Sequence, residues 1–286
     1  MKRGKVYLVG AGPGDPGLLT LRARELLGRA DVVLYDGLVS RGVLRWIPRT
    51  VQKRRVAKGP TRRDRFPQSE IDRLMVAEAT AGKTVVRLKG GDPLLFSRGG
   101  EEAEWLRAHG IRFEIVPGVS SALAAPAYSG ITLTERGLAS SVAFVTGHGS
   151  DAPPQHDVDW TRLAHGVDTL VIMMGVATLK TVAARLRAAG LAAETPVAAI
   201  QWGTTRRQRS WRFTLEEAAR GAVAARIESP SVLVIGPTVL RAYRRNWYPQ
   251  ERRWASPGFL RTVRTADRPA RARPRHSGPA EGRKGR

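Results

Sequence analysis

Three glycines at alternate positions, Gly10, Gly12 and Gly14, close a short apolar run that begins at Val6, with Pro13, Asp15 and Pro16 set among them. A strand-like run, a glycine loop and then a helical pattern place a ligand loop at the carboxyl end of a first strand, where open α/β sheets bind their ligands. The loop departs from the dinucleotide fingerprint, because Asp15 stands where its third glycine belongs. Pro13 and Pro16 also lack the backbone N–H groups that a pyrophosphate takes. The chemistry this suits is close backbone approach to a ligand that is not an anion. Asp36, in Tyr35-Asp-Gly-Leu-Val39, ends a second strand-like segment. It mimics the ribose-binding acid of a dinucleotide site and could equally cap the segment after it. Gly90-Gly-Asp-Pro93 sets paired glycines before an Asp-Pro step, a turn or a second close approach of backbone. Ser120 and Ser121 read on spacing as helix caps, Met174-Gly and Trp202-Gly as core and turn, and His148 as a surface-loop histidine or an acid–base group.

These loops need elements to hold them. Through residue 116 the chain alternates strands, over 5–10, 31–35, 51–56, 84–88 and 112–116, with helices over 20–29, 41–46, 68–80 and 98–109. Thr20 is placed to cap the first helix. The alternation implies a mostly parallel sheet covered on both faces, whose strand ends share one edge, so that the loops over 10–17, 35–39, 90–100 and 117–122 could line one cleft. Pro117-Gly118 breaks the pattern. A second α/β series follows, with a helix over 119–125 and strands over 141–146, 168–173, 196–201, 208–213 and 231–235. Helices are expected over 177–189 and 215–225, and Thr214-Leu-Glu-Glu217 has capping-box spacing. The fold class expected is α/β, with two αβα domains and a cleft between them. Residues 1–116 form the first domain, 117–245 the second, and 246–286 a basic tail read as disordered.

The bulk numbers bound the function. Hydrophobic residues make up 42% of 286, enough for sizeable cores. No apolar run approaches the ~18 residues of a membrane helix, and no signal-peptide pattern opens the chain, so a cytoplasmic enzyme without membrane partners is expected. Zero cysteines exclude disulfides and thiolate chemistry, and five scattered histidines show no ligand spacing, so no metal is expected. The net charge is +23, of which residues 241–286 carry 14 Lys or Arg against 3 Asp or Glu. Arg dominates, 40 against 8 Lys, and its planar fork pairs with carboxylates and phosphates.

The segments over 6–16, 31–40, 85–104, 113–134, 139–148, 197–205 and 231–236 together resemble the uroporphyrinogen-III C-methyltransferases, a branch of the tetrapyrrole methylases. The most specific stretch is Arg87-Leu-Lys-Gly-Gly-Asp-Pro-Leu-Leu-Phe-Ser-Arg-Gly-Gly-Glu-Glu-Ala103, together with Tyr35-Asp-Gly-Leu-Val-Ser40. The resemblance implies a homodimeric enzyme with S-adenosylmethionine as methyl donor, S-adenosylhomocysteine as product and no metal. Pro13, Gly90, Gly91, Asp92, Leu95, Ser120, Ser121, Met174 and Gly203 are then the expected cofactor-binding positions. Asp36 matches the proposed proton acceptor and Lys58 the proposed proton donor, although Gly59 stands where relatives often carry Arg. The implied reaction adds methyl groups to C2 and C7 of uroporphyrinogen III, giving precorrin-2 on the way to sirohaem or cobalamin. Arg22, Arg62, Arg63, Arg65 and Arg98 are candidates for the substrate's carboxylates. The alternatives are a later corrin-ring methyltransferase, a ribosomal-RNA methyltransferase of the same fold, and a non-catalytic binding protein in which the tail dominates. Nucleic acid is expected to bind only through the basic tail, and deletion of residues 247–286 to leave methylation intact.

Overall fold

A computed structural model of the chain describes residues 4–56, 66–147, 158–249 and 252–266. Its first sheet is built from β1 (Lys5–Gly10), β2 (Val32–Tyr35), β3 (Gln52–Arg55), β4 (Thr84–Lys89) and β5 (Arg112–Val116), in the order β3-β2-β4-β1-β5. All its pairings are parallel, so the carboxyl ends of these strands meet at one edge. Side chains alternate across the pleat and feed two cores. Val9, Val33, Val86 and Leu88 pack with α1 (Leu21–Arg29) and α2 (Arg41–Leu44). Leu8, Leu34 and Val85 pack with α3 (Gln68–Thr80) and α4 (Gly99–Ala108) on the other face. Thr20 caps α1 as expected, its hydroxyl accepting from Ala23 N at 3.1 Å.

The chain then enters α5 (Ser121–Tyr128), whose Ala122 and Ala125 pack into the core of a second sheet. That sheet comprises β6 (Val142–Thr146), β7 (Thr169–Met173), β8 (Pro196–Gln201), β9 (Arg209–Thr214), β10 (Ser231–Ile235) and β11 (Arg252–Ala255), in the order β11-β9-β8-β10-β7-β6. It is mixed: β10 runs antiparallel to both β7 and β8. β7 and β8 therefore point the same way, and the turns at Met174 and Gly203 lie on one edge. Helices α6 (Trp160–Gly166), α7 (Leu179–Ala188) and α8 (Leu215–Ala219) cover one face, and the α8 capping box forms with both of its bonds. The 215–225 helix stops at Ala219, and a short 3-10 turn follows at Ala224–Arg226.

The reading of 246–286 as a disordered tail needs correction at Trp247 and Tyr248, which pack on Tyr128, and over 252–266. β11 pairs in parallel with β9, setting Trp254 beside Trp211, and α9 (Pro257–Ala266) follows it. Phe259 is 3% exposed and shares a core with Ala122 and Val234. Glu217 receives bonds from the Ser256 hydroxyl and from Gly258 N. The basic composition hid Trp254, Phe259 and Val263, which bury apolar surface despite the charge around them. Deletion of residues 247–286 is therefore expected to cost about 3 kcal/mol or more in denaturant unfolding, the size of a lost buried aromatic. An unchanged midpoint would contradict the integration of this segment. Residues 250–251 and 267–286 lie outside the described residues.

Candidate active site

The loops after β1, β4 and β5 touch through glycines. Gly12 and Gly91 exchange backbone bonds, Gly12 N to Gly91 O at 3.2 Å and Gly91 N to Gly12 O at 2.8 Å. A β-carbon on Gly118 would lie 2.4 Å from Gly91 O and 2.7 Å from Gly10 Cα. Both atoms are backbone, so nothing can swing aside. Gly118→Ala is expected to cost about 1–3 kcal/mol by overpacking. A thermal midpoint equal to the parent's would show that the loops have room to part.

Asp92 braces the same place. Its Oδ1 accepts from Leu94 N at 2.8 Å and Leu95 N at 3.1 Å, and its Oδ2 accepts from Gly118 N at 3.0 Å. This carboxylate ties the β4 loop to the β5 loop. Leu95 then packs against the core that contains Ala122 and Ile131. Ser120 caps α5 through Ala122 N, and Ser121 opens the helix beside Gly91. A β-carbon on Gly90 would lie 3.4 Å from Leu38 Cβ, so the β4 loop also meets the loop that carries Asp36.

The loop after β8 closes on β1's loop from the second sheet. Asp15 N donates to Thr204 Oγ1 at 3.1 Å, and a β-carbon on Gly14 would lie 2.7 Å from Thr205 Cγ2. Pro13 and Gly203 thus flank one junction, with Gly203 fitted against Ala125 of α5. Met174 turns the chain after β7 with φ +55° and is 47% exposed. Phe96, Arg98, Trp202 and Thr204 also have positive φ, a costly conformation for residues with a side chain that concentrates at functional loops. Leu38, Leu94, Phe96, Leu123 and Met174 form an exposed apolar set on these loops and α5.

Beneath this edge lies a buried charge network. Arg87, on the middle strand β4, donates from Nη2 to Asp36 Oδ1 at 2.5 Å and from Nε to Glu102 Oε1 at 3.1 Å. Lys89 Nζ is 3.0 Å from both Glu102 oxygens, and Gln68 Nε2 reaches Glu102 at 3.1 Å and Asp72 at 2.9 Å. Arg87 and Lys89 are 2% exposed and Glu102 0%, whereas the Asp36 side chain keeps 30%. Burial pushes the Lys89 ammonium below its ordinary value, with help from the Arg87 charge, against the pull of Glu102 and Asp36. Burial likewise raises the Asp72 carboxyl, opposed by its bond from Gln68. Groups of this kind are buried only when paired. The arrangement can hold a carboxylate in a fixed orientation at the edge where the glycine loops after β1, β4 and β5 meet.

Arg87, Lys89 and Glu102 fall inside the Arg87–Ala103 stretch, whose sequence alone assigns them no role. Their signal was two cations at alternate positions of a strand that otherwise reads apolar. Arg22, expected as a substrate contact, is engaged instead with Glu25 and Glu114, and Arg98 with Glu101. Lys58, Arg62, Arg63, Arg65 and His148 lie outside the described residues.

Residues 5–219 match the family described as Tetrapyrrole (Corrin/Porphyrin) Methylases. The chain belongs to this family. It is 44% identical over 248 residues to the uroporphyrinogen-III C-methyltransferase of Bacillus subtilis, covering 87% of this chain and 96% of that one. It is 47% identical over 248 residues to the siroheme synthase of Chromobacterium violaceum, covering 86% of this chain and 52% of that protein, about half its length. A crystal structure of uroporphyrin-III C-methyl transferase from Thermus thermophilus, complexed with S-adenyl homocysteine, superposes with a TM-score of 0.72 at 42% identity, covering 82% of this chain and 99% of that one. The mixed α/β architecture is that of the tetrapyrrole methylases. No helix among the described residues is long and apolar enough to cross a membrane. No cluster of metal-ligating side chains occurs among the described residues.

Proposed function

We propose that the protein is an S-adenosylmethionine-dependent C-methyltransferase that methylates uroporphyrinogen III at C2 and C7 to give precorrin-2. The observation that carries this reading is Asp36, held by Arg87 at 2.5 Å beside a cleft whose walls meet through Gly10, Gly91 and Gly118. This edge fits the cofactor's chemistry: β-carbons on Gly90 and Gly91 would meet no atom nearer than 3.4 Å, which leaves that backbone open to a ligand, and prolines replace the N–H groups an anion would need. We assign Pro13, Gly90, Gly91, Leu95, Ser120, Ser121, Met174 and Gly203 to its binding, with Asp92 acting through its brace on Gly118. When bound, the cofactor supplies an electrophilic methyl group on a sulfonium centre.

Methyl transfer breaks the sulfonium C–S bond and leaves the attacked pyrrole carbon quaternary and the ring cationic; Asp36 offsets that charge and accepts the proton the ring then sheds from a nitrogen or a bridging methylene. Arg87 fixes the carboxylate so that its remaining edge faces the cleft. The apolar set around Leu38, Leu94 and Phe96 suits a macrocycle face, and the abundant arginine suits a rim of carboxylates. Lys58 remains the proposed proton donor. We also assign residues 1–116 and 117–245 to separate domains, homodimeric assembly, and a cytoplasmic location.

Incubation with methyl-labelled S-adenosylmethionine and uroporphyrinogen III, a corrin intermediate or ribosomal RNA in parallel tests this. Label in the uroporphyrinogen product alone is expected. Label only in a corrin or in RNA would replace the substrate, and label in none would remove the activity.

A further inference from the structure

An aromatic cluster of Tyr128, Trp247 and Tyr248 sits on the junction between the two sheets. Trp247 and Tyr248 follow the last 3-10 turn and pack on Tyr128 at the end of α5. The ring centroids of Tyr128 lie 4.8 Å from Trp247 and 4.7 Å from Tyr248, within the range of favourable tilted and edge contacts. Each aromatic also carries a polar tether. The Tyr128 hydroxyl donates to Asp15 Oδ2 at 2.8 Å, Tyr248 OH to the Thr204 carbonyl at 3.3 Å, and Trp247 Nε1 to the Ala127 carbonyl at 3.1 Å. Asp15 itself is bonded through its backbone to Thr204 Oγ1. The β1 loop, α5 and the β8 loop are thereby joined by residues near the chain's end. Burial, then the bond and charge of Asp15, push the Tyr128 phenol up to about 12, so its proton stays on the bond to Asp15 at neutral pH.

Neither pair of linked residues is far from the proposed cofactor contacts. Pro13 stands two positions before Asp15, and Gly203 immediately precedes Thr204. Trp247 is 63% exposed, an unusual position for a tryptophan in a merely structural role. Its edge-on contact, with 63° between the ring planes, covers Tyr128 without entering a core.

We infer that Trp247 and Tyr248, acting through Tyr128, form a clasp that positions the Pro13 and Gly203 loops against each other and so sets the protein's affinity for S-adenosylmethionine. The inference rests on the proposed function, since it concerns the same cleft. Trp247, Tyr248 and Tyr128 are positioning residues: they hold Asp15 and Thr204 and have no contact with reacting atoms. Opening the clasp leaves Asp36 and its network in place, so the chemical step is spared at saturating cofactor.

The test uses the full chain with Trp247→Ala, Tyr248→Ala and Tyr128→Phe, each assayed for S-adenosylhomocysteine binding by calorimetry and for methylation kinetics. The clasp is expected to raise the dissociation constant and the cofactor KM about tenfold in Trp247→Ala/Tyr248→Ala, with kcat within about threefold of the parent. Tyr128→Phe, which keeps the ring and loses one bond, is expected to give a smaller rise in the same direction. A lowered thermal midpoint with unchanged affinity would overturn the clasp and leave the aromatics a structural role. A parent protein that binds no S-adenosylhomocysteine would instead overturn the proposed function, a separate result.

Discussion

Substituting Asp36 by Asn is expected to lower kcat for methyl transfer by about 10²–10⁴-fold, the usual contribution of a positioned acid–base group. The change keeps shape, and the amide oxygen can still accept from Arg87 Nη2, so the loop should stay in place. What is lost is the negative charge and the capacity to take a proton. KM and affinity for S-adenosylhomocysteine should therefore move by less than about threefold, the signature of an interaction made only in the transition state. Steady-state kinetics together with calorimetry on the same preparation measure both. A kcat within tenfold of the parent would remove Asp36 as the base and leave positioning as the main source of rate.

The second large effect lies below the cleft. Glu102 is fully buried between two buried cations, Arg87 and Lys89. Removing one member of such a group leaves uncompensated charge in a medium that solvates it poorly. Glu102→Ala is expected to cost about 3–5 kcal/mol, read from urea unfolding. Glu102→Gln, which keeps one acceptor and the volume, should cost less and preserve the fold. The Arg87 guanidinium would then keep an acceptor there but lose the charge of one of its two anchors, so Glu102→Gln should also lower kcat through Asp36. In an Asp36→Asn background the same change should have little further effect on kcat, because there is no carboxylate left to position. Full additivity of the two substitutions would show that Glu102 acts independently of Asp36.

Much of this was legible in the sequence because backbone chemistry is local. Gly10, Gly12 and Gly14, the cap at Thr20 and the capping box at Thr214 each state a conformation that their neighbours cannot overrule. The alternation of strands and helices up to residue 116 required the parallel sheet that brings Asp36, Gly91 and Ser120 to one edge. The mixed pairing of the second sheet was not legible. Its antiparallel β10 returns to lie between β7 and β8, a choice made by long-range pairing.

Partners across the chain were equally hidden. Nothing near Glu102 announces that it meets Lys89, and nothing near Asp15 announces Tyr128, 113 residues away. The order of the segment over 252–266 is hidden because its basic charge masks the spacing of Trp254, Phe259 and Val263. In a chain this rich in arginine, charge is a poor guide to what stays unfolded, since long side chains keep their cations in water while their stems cover apolar surface.

The most direct measurement is anaerobic incubation of the purified protein with uroporphyrinogen III and ¹³C-methyl S-adenosylmethionine, followed by mass and NMR analysis of the tetrapyrrole. Two labelled methyl groups, at C2 and C7, and their loss in Asp36→Asn that still binds S-adenosylhomocysteine, are expected. An unlabelled tetrapyrrole from protein that binds the cofactor would contradict the assigned substrate, and labelling undiminished in Asp36→Asn would contradict the assigned base.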